Sequence, residues 1–214
     1  MSAKGLKGTK IFIKHKIKKK GGMILATKIF IDPGHGGPDP GAIGNGVTEE
    51  FVNLNVALEL ARLLRNQGFD VMVYRTTSDE NVLENKNADL RNRARMANEW
   101  GADYFISIHT NSSTNPAAQG AEAYVYRLGG TAERLGKAIL QSISEELGSR
   151  NRGVMAANFA VLKRTNMPAV LIELGYLTNS TEALNLNSPA WQRAVAGAIA
   201  NGIVSYLGVP QRVF

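Results

Sequence analysis

Cysteine is absent from all 214 residues. Disulfides and thiolate metal sites are thereby excluded, and any bound metal must rest on histidine and carboxylate. Histidine is scarce as well, with three in the chain: His15, His35 and His109. No apolar run approaches the ~20 residues that a membrane-spanning helix needs. The short stretch Met23-Ile24-Leu25-Ala26 falls below the ~7–15 residues of a signal-peptide core. Acid is missing from residues 1–22, which hold eight lysines. The net charge of +7 less those eight leaves −1 for residues 23–214. The body therefore carries no global basic field, and nucleic acid is not expected as a partner.

What is present fits one domain with a substantial core, at 44% hydrophobic and 20% charged residues. Residues 1–22 read as a disordered basic leader, a cloning-derived or vestigial extension, with Met23 as a natural start and His15 solvated. Residues 23–210 form the folded body and 211–214 a tail. Strand-like runs at 27–32, 70–74, 104–109, 120–127, 159–162 and 169–174 alternate with helical patterns. The helices are expected at Thr48 to Gly68, Leu90 to Trp100, Thr131 to Gly148 and from Ser188 or Pro189 to Leu207. Residues 34–46 are a glycine-rich loop. This alternation predicts an α/β fold: a single domain with a twisted, mostly parallel sheet and helices on both faces. Arg91, Arg93 and Arg95 read as a solvated helix face.

The chain is organised around Ile29-Phe30-Ile31-Asp32-Pro33-Gly34-His35-Gly36-Gly37. An apolar run halts at Asp-Pro-Gly, and a histidine follows inside a glycine turn. Tyr104-Phe105-Ile106-Ser107-Ile108 likewise ends on His109, and Ala169-Val170-Leu171-Ile172 on Glu173. In open α/β sheets, ligands bind at the carboxyl ends of strands. Catalytic zinc usually takes three protein ligands and keeps one position open. His35 and His109 supply two imidazoles, and Glu49 or Glu50, at the start of a helix, supplies the third ligand. An unpaired buried carboxylate costs several kcal/mol. Glu173 therefore needs a partner, and a water on the metal, whose proton it would take as general base, is one.

These motifs resemble a known family. Ile31-Asp32-Pro33-Gly34-His35-Gly36-Gly37, Asp39-Pro40-Gly41-Ala42 and Glu49 with Asn53-Leu54 are similar to the start of the zinc-dependent N-acetylmuramoyl-L-alanine amidases, Amidase_3 type. So are Phe105 to Asn111, Asn151-Arg152-Gly153 and Met167 to Asn179. The resemblance implies zinc on His35, Glu49 and His109, because the family glutamate lies four residues before the asparagine of the Asn-Leu pair. It implies Glu173 as catalytic acid/base. It also implies cleavage of the amide between N-acetylmuramic acid and L-alanine of the stem peptide, by an endolysin- or autolysin-like enzyme at the bacterial cell wall. Peptidoglycan is then the partner, with anionic wall polymers as a contact for the lysine-rich leader, and a monomer is expected. Two other readings are an inactive wall-binding module and a zinc carboxypeptidase or deacetylase on another wall substrate.

Overall fold

A computed structural model describes residues 26–209, together with the backbone of 19–20 and 23–24. Lys19–Lys20 pairs antiparallel with Met23–Ile24. The rest of the expected leader, His15 included, lies outside the described residues, as does the expected tail.

The main sheet is built from β1 (Lys28–Pro33), β2 (Asp70–Val73), β3 (Tyr104–Asn111), β4 (Ala121–Val125), β5 (Asn151–Ala156) and β6 (Ala169–Tyr176). Its order is β2-β1-β3-β6-β4-β5. The pairs β2/β1, β1/β3, β3/β6 and β4/β5 are parallel, and only β6/β4 is antiparallel. The helices are α1 (Glu49–Asn66), α2 (Lys86–Trp100), α3 (Thr131–Leu147), α4 (Ala160–Arg164), α5 (Ser180–Leu186) and α6 (Pro189–Leu207). This is the expected mostly parallel α/β sheet in one domain.

Successive side chains of a strand point to opposite faces. Ile29, Ile31, Ile106, Ile108, Val170 and Ile172 belong to the core shared with α1, α3 and α6. Phe30, Phe105 and Leu171 belong to the core on the other face, with α2 and α4. There Phe30 stacks on Phe105 with ring centroids 5.7 Å apart.

The structure corrects four expectations. Phe159–Leu162 is not a strand: Phe159 is the N-cap of the one-turn helix α4. A short apolar run does not distinguish the two by periodicity. The edge position belongs to β5, whose largely solvent-facing residues gave no apolar alternation. The glycine-rich loop contains a ribbon, Ile43–Gly44 paired with Val47–Thr48. Its turn, Asn45-Gly46, has φ 49° and 77°, the left-handed pair that Asn-Gly readily adopts. Thr48 after it is the N-cap of α1, as its position at the helix start leads one to expect, with extended dihedrals and no side-chain cap hydrogen bond. Finally, Arg93 is not solvated: it is 2% exposed, while Arg95 faces solvent and pairs with Glu99. Alternate residues of a helix are about 200° apart, so 91, 93 and 95 cannot share one face.

Candidate metal and catalytic site

β1 ends at Pro33, and Gly34 N–H still donates to Ile108 O on β3 at 2.9 Å. The chain then turns sharply. His35 has φ 62°, followed by Gly36 at 123° and Gly37 at 55°. A non-glycine residue in that region carries strain on the order of 1–3 kcal/mol, and it persists only where its surroundings hold it.

Two buried guanidiniums hold it. Arg75, 0% exposed, donates to the carbonyls of Pro33 (3.3 Å), Gly34 (3.0 Å) and His35 (3.0 Å). Arg93 donates to Pro33 O and His35 O, each at 2.7 Å. Each arginine is neutralised in turn. Glu50 Oε1 lies 2.9 Å from Arg75 Nη1. Asp32 and Asp89 each lie 2.7 Å from Arg93. Ser107 Oγ donates to Asp32 at 2.8 Å, tying β3 to the same cluster.

The loop and α1 then bring three side chains together. His35 Nε2 is 3.2 Å and His109 Nδ1 2.9 Å from the same oxygen, Oε1 of Glu49. The two rings meet edge-on, with centroids 5.0 Å apart. One donor atom from each of His35, Glu49 and His109 lies within 4.8 Å of the others. Glycine makes this convergence possible. A Cβ on Gly34 would sit 2.2 Å from His109 Cε1, and one on Gly41 2.6 Å from Glu49 Oε2. The backbone fixes the carboxylate further: Thr110 N–H donates to Oε1 at 3.2 Å and Ala42 N–H to Oε2 at 2.8 Å.

Burial alone would raise the Glu49 pKa. Hydrogen bonds from His109 and His35 outweigh it and hold the carboxyl well below its usual range. Burial lowers the His35 pKa, but Glu49 and Asp39 reverse the sign and raise it. Asp39 Oδ2 lies 3.0 Å from His35 Nδ1, and its own pKa falls to about 2; His35 and Lys86 outweigh its desolvation. A carboxylate behind the far nitrogen of a ligating imidazole is the usual second layer of a metal site.

Two imidazole nitrogens and one carboxylate oxygen within 4.8 Å of one another match the donor set of catalytic zinc. The close approach of both imidazoles to one carboxylate oxygen brings the three donors around a single centre. The residues therefore fit a divalent ion.

Glu173, on β6, is in register with His109 on β3 and Glu122 on β4. Its Oε2 is buried and makes no hydrogen bond among the described residues. Burial, then the charges of Glu49 and Glu122, push its pKa well above the ordinary value. Glu173, His35 and His109 all line a cavity of about 320 Å³. Apolar Val82, Leu83, Leu90, Phe159 and Val161 line it too, beside charged groups such as Lys86 and Asp89.

The family profile described as N-acetylmuramoyl-L-alanine amidase, Amidase_3, matches residues 29–205. The chain belongs to that family. The amidase is 41% identical over 178 residues to N-acetylmuramoyl-L-alanine amidase CwlM of Bacillus licheniformis, covering 82% of this chain and 67% of that protein. It is 38% identical to the sporulation-specific N-acetylmuramoyl-L-alanine amidase of Bacillus subtilis, covering 82% and 66%. The chain thus spans about two thirds of the length of these curated relatives. Among solved structures, the CwlD amidase of Clostridioides difficile, in complex with the GerS lipoprotein, superposes with a TM-score of 0.80 at 31% identity. That match covers 86% of this chain and 100% of the other. The catalytic domain of CwlV from Bacillus (Paenibacillus) polymyxa gives 0.76 at 34% identity, covering 86% and 99%. The amidase is therefore a hydrolase of peptidoglycan.

His35, Glu49 and His109 come together beside the carboxyl ends of β1 and β3, and Glu173 on β6 lines the same cavity as the two histidines. Glu50, the other candidate ligand, is diverted to Arg75. Sequence reading missed Asp39, Arg75, Arg93 and Glu122. The spacing of Asp89 and Arg93 at i and i+4 was an available signal for one of them. Among the described residues no helix is long and apolar enough to cross a membrane.

Proposed function

We propose that the protein is a zinc-dependent N-acetylmuramoyl-L-alanine amidase, with the ion on His35, Glu49 and His109 and with Glu173 as acid/base. The observation that carries this is the convergence of those three donor atoms within 4.8 Å, with His35 and His109 on the cavity that Glu173 also lines. Zinc held there supplies Lewis acidity toward the lactyl carbonyl and a water that ionises near neutral pH.

The protein's own groups do the rest. Arg75 and Arg93 fix the His35 loop, so that little reorganisation is needed on binding. The Asp39 carboxylate, 3.0 Å from His35 Nδ1, sits behind the ring and favours a proton on that nitrogen. Glu173, with a free carboxyl oxygen and an affinity for protons raised by burial and then by Glu49 and Glu122, accepts the proton of the attacking water. It then returns that proton to the leaving nitrogen of L-alanine. Action at the bacterial wall follows from this substrate, and a monomer suffices, since all four groups come from one chain. The lysine-rich leader offers a contact for anionic wall polymers, tested by comparing wall pelleting of residues 1–214 and 23–214 at low and high salt.

Mass spectrometry of digested peptidoglycan tests the reading. The expected products are intact stem peptides beginning with L-alanine, lost on adding a chelator and restored by zinc. Products cut within the peptide, or free acetate, would instead support a carboxypeptidase or a deacetylase. Wall binding without products would support an inactive binding module.

A further inference from the structure

The Asn151-Arg152-Gly153 motif has no part in the metal centre, yet the structure gives it a purpose. Ala121 pairs with Asn151, whereas Ala123 pairs with Val154. Two residues of β5, Arg152 and Gly153, thus face the single residue Glu122 of β4, which is a β-bulge. Gly153 takes φ 91°, and its N–H donates to the Asn151 side chain at 2.9 Å. Bulges next to active sites commonly re-aim a side chain. This one aims Arg152 at Glu122, with Nε to Oε2 at 2.5 Å. Glu122 is 2% exposed and also accepts from Asn111, Tyr124 and Tyr176. Its carboxylate is therefore a rigid post. It holds only the Nε side of the guanidinium. Nη1 makes a long 3.4 Å contact with Gln119 O, and Nη2 has no acceptor among the described residues. The Arg152 side chain is 32% exposed.

Glu122 stands opposite Glu173 on the neighbouring strand, and Arg152 is one strand further out. Two strand spacings separate the backbones by about 10 Å, and Arg152 reaches back to the Glu122 carboxylate, so its guanidinium lies within that distance of Glu173 on the face of the sheet that carries the site. An extended peptide advances about 3.5 Å per residue. A group one to two residues beyond the scissile amide thus lies about 4–7 Å along the peptide, inside that distance.

We propose that Arg152 is a carboxylate anchor for the substrate, binding the free α-carboxylate of the acidic residue that follows L-alanine in the stem peptide. This rests on the peptidoglycan amidase reading of the site. A guanidinium with its Nη edge open presents the fork that a carboxylate accepts. An amide at the same position lacks both the charge and the second acceptor oxygen. Arg152 thereby makes the enzyme selective for stem peptides that are not amidated there.

The experiment is calorimetric titration of the zinc-loaded protein with two tripeptides, L-Ala-D-Glu-L-Lys and L-Ala-D-isoGln-L-Lys, joined through the γ-carboxyl. They differ only in a carboxylate or a carboxamide. Wild type is expected to bind the carboxylate form roughly tenfold more tightly. R152A should bind both at the weaker level, and R152K should recover part of the preference through charge without the fork. On muropeptides, R152A should raise KM by a similar factor and leave kcat within about twofold. If Arg152 served only to neutralise Glu122, the variant would lose thermal stability and affinity for both peptides alike. That result, or equal affinity of wild type for the two peptides, overturns the proposal. A wild type that prefers the carboxylate yet cuts no muropeptide would refute the hydrolytic reading and leave the anchor standing.

Discussion

The two faces of the sheet share the same strands but not the same chemistry. On the α1/α3/α6 face, β1, β3 and β6 present Ile29, Ile31, Ile106, Ile108, Val170 and Ile172, all buried among apolar neighbours. On the α2/α4 face, the alternate positions begin apolar, with Phe30, Phe105 and Leu171, and turn polar toward the strand ends: Asp32, Ser107, His109 and Glu173. The first face stabilises by burial. The second uses buried charge to hold one loop in a costly conformation. Stability and positioning are thus assigned to opposite sides of a single layer.

Substitutions that separate the two faces should differ in kind as well as in size. The largest effect expected is on turnover. Glu173→Gln should lower kcat by about 10²–10⁴ while zinc stays bound and thermal stability holds or rises, because a buried carboxyl without a partner is removed. Steady-state kinetics with metal analysis would show this; retained wall lysis would refute the role of Glu173. Next comes Arg93→Met, which leaves Asp32 and Asp89 buried without their cation. A loss of about 3–5 kcal/mol in denaturant unfolding is expected, together with weaker zinc binding. Ile106→Ala on the other face should cost a similar ~2–5 kcal/mol yet leave the zinc affinity of the folded protein unchanged. Equal zinc affinity in both variants would contradict this division of roles.

Smaller is the effect of Glu50→Gln, which weakens the hold on Arg75 while leaving Glu49 in place. Zinc affinity, read by competition with a chromophoric chelator, should fall about tenfold. The smallest effect concerns acid. Glu49 and Asp39 have depressed pKa values in the folded state, Asp39 at about 2 against an ordinary 3.8. Their contribution is full above the unfolded carboxylate range and is lost as pH falls through the folded values. The zinc-free protein should therefore lose stability progressively below about pH 4, and Asp39→Asn should flatten that decline. Thermal melts across the acid range would show it.

Much of this architecture was legible because the signals were local. His35 and His109 each close an apolar run, and Glu173 interrupts one, so strand ends pointed to a shared site. The helices with long apolar stripes, α1, α3 and α6, were equally plain. Spacing alone could not choose between Glu49 and Glu50. Adjacent residues at a helix start diverge by about 100°, and only the fold shows which faces the histidines. Arg93 was misread for a related reason: its partner Asp32 lies 61 positions away, beyond any local pattern. The strand β5 was hidden because an edge strand with solvent-facing residues carries little hydrophobic alternation. The bulge at Arg152 was hidden because it exists only in pairing with β4.

The central claim is that two imidazoles and one carboxylate of this chain hold a single zinc ion. X-ray absorption at the zinc edge of the zinc-loaded protein tests it most directly. The account predicts one zinc per chain, with two imidazole nitrogens at about 2.0–2.1 Å and oxygen ligands completing the shell. One imidazole should disappear from the spectrum in His35→Ala, or in His109→Ala, wherever metal is retained. A shell with fewer than two imidazoles in the wild type, or an unchanged spectrum in those variants, would contradict it.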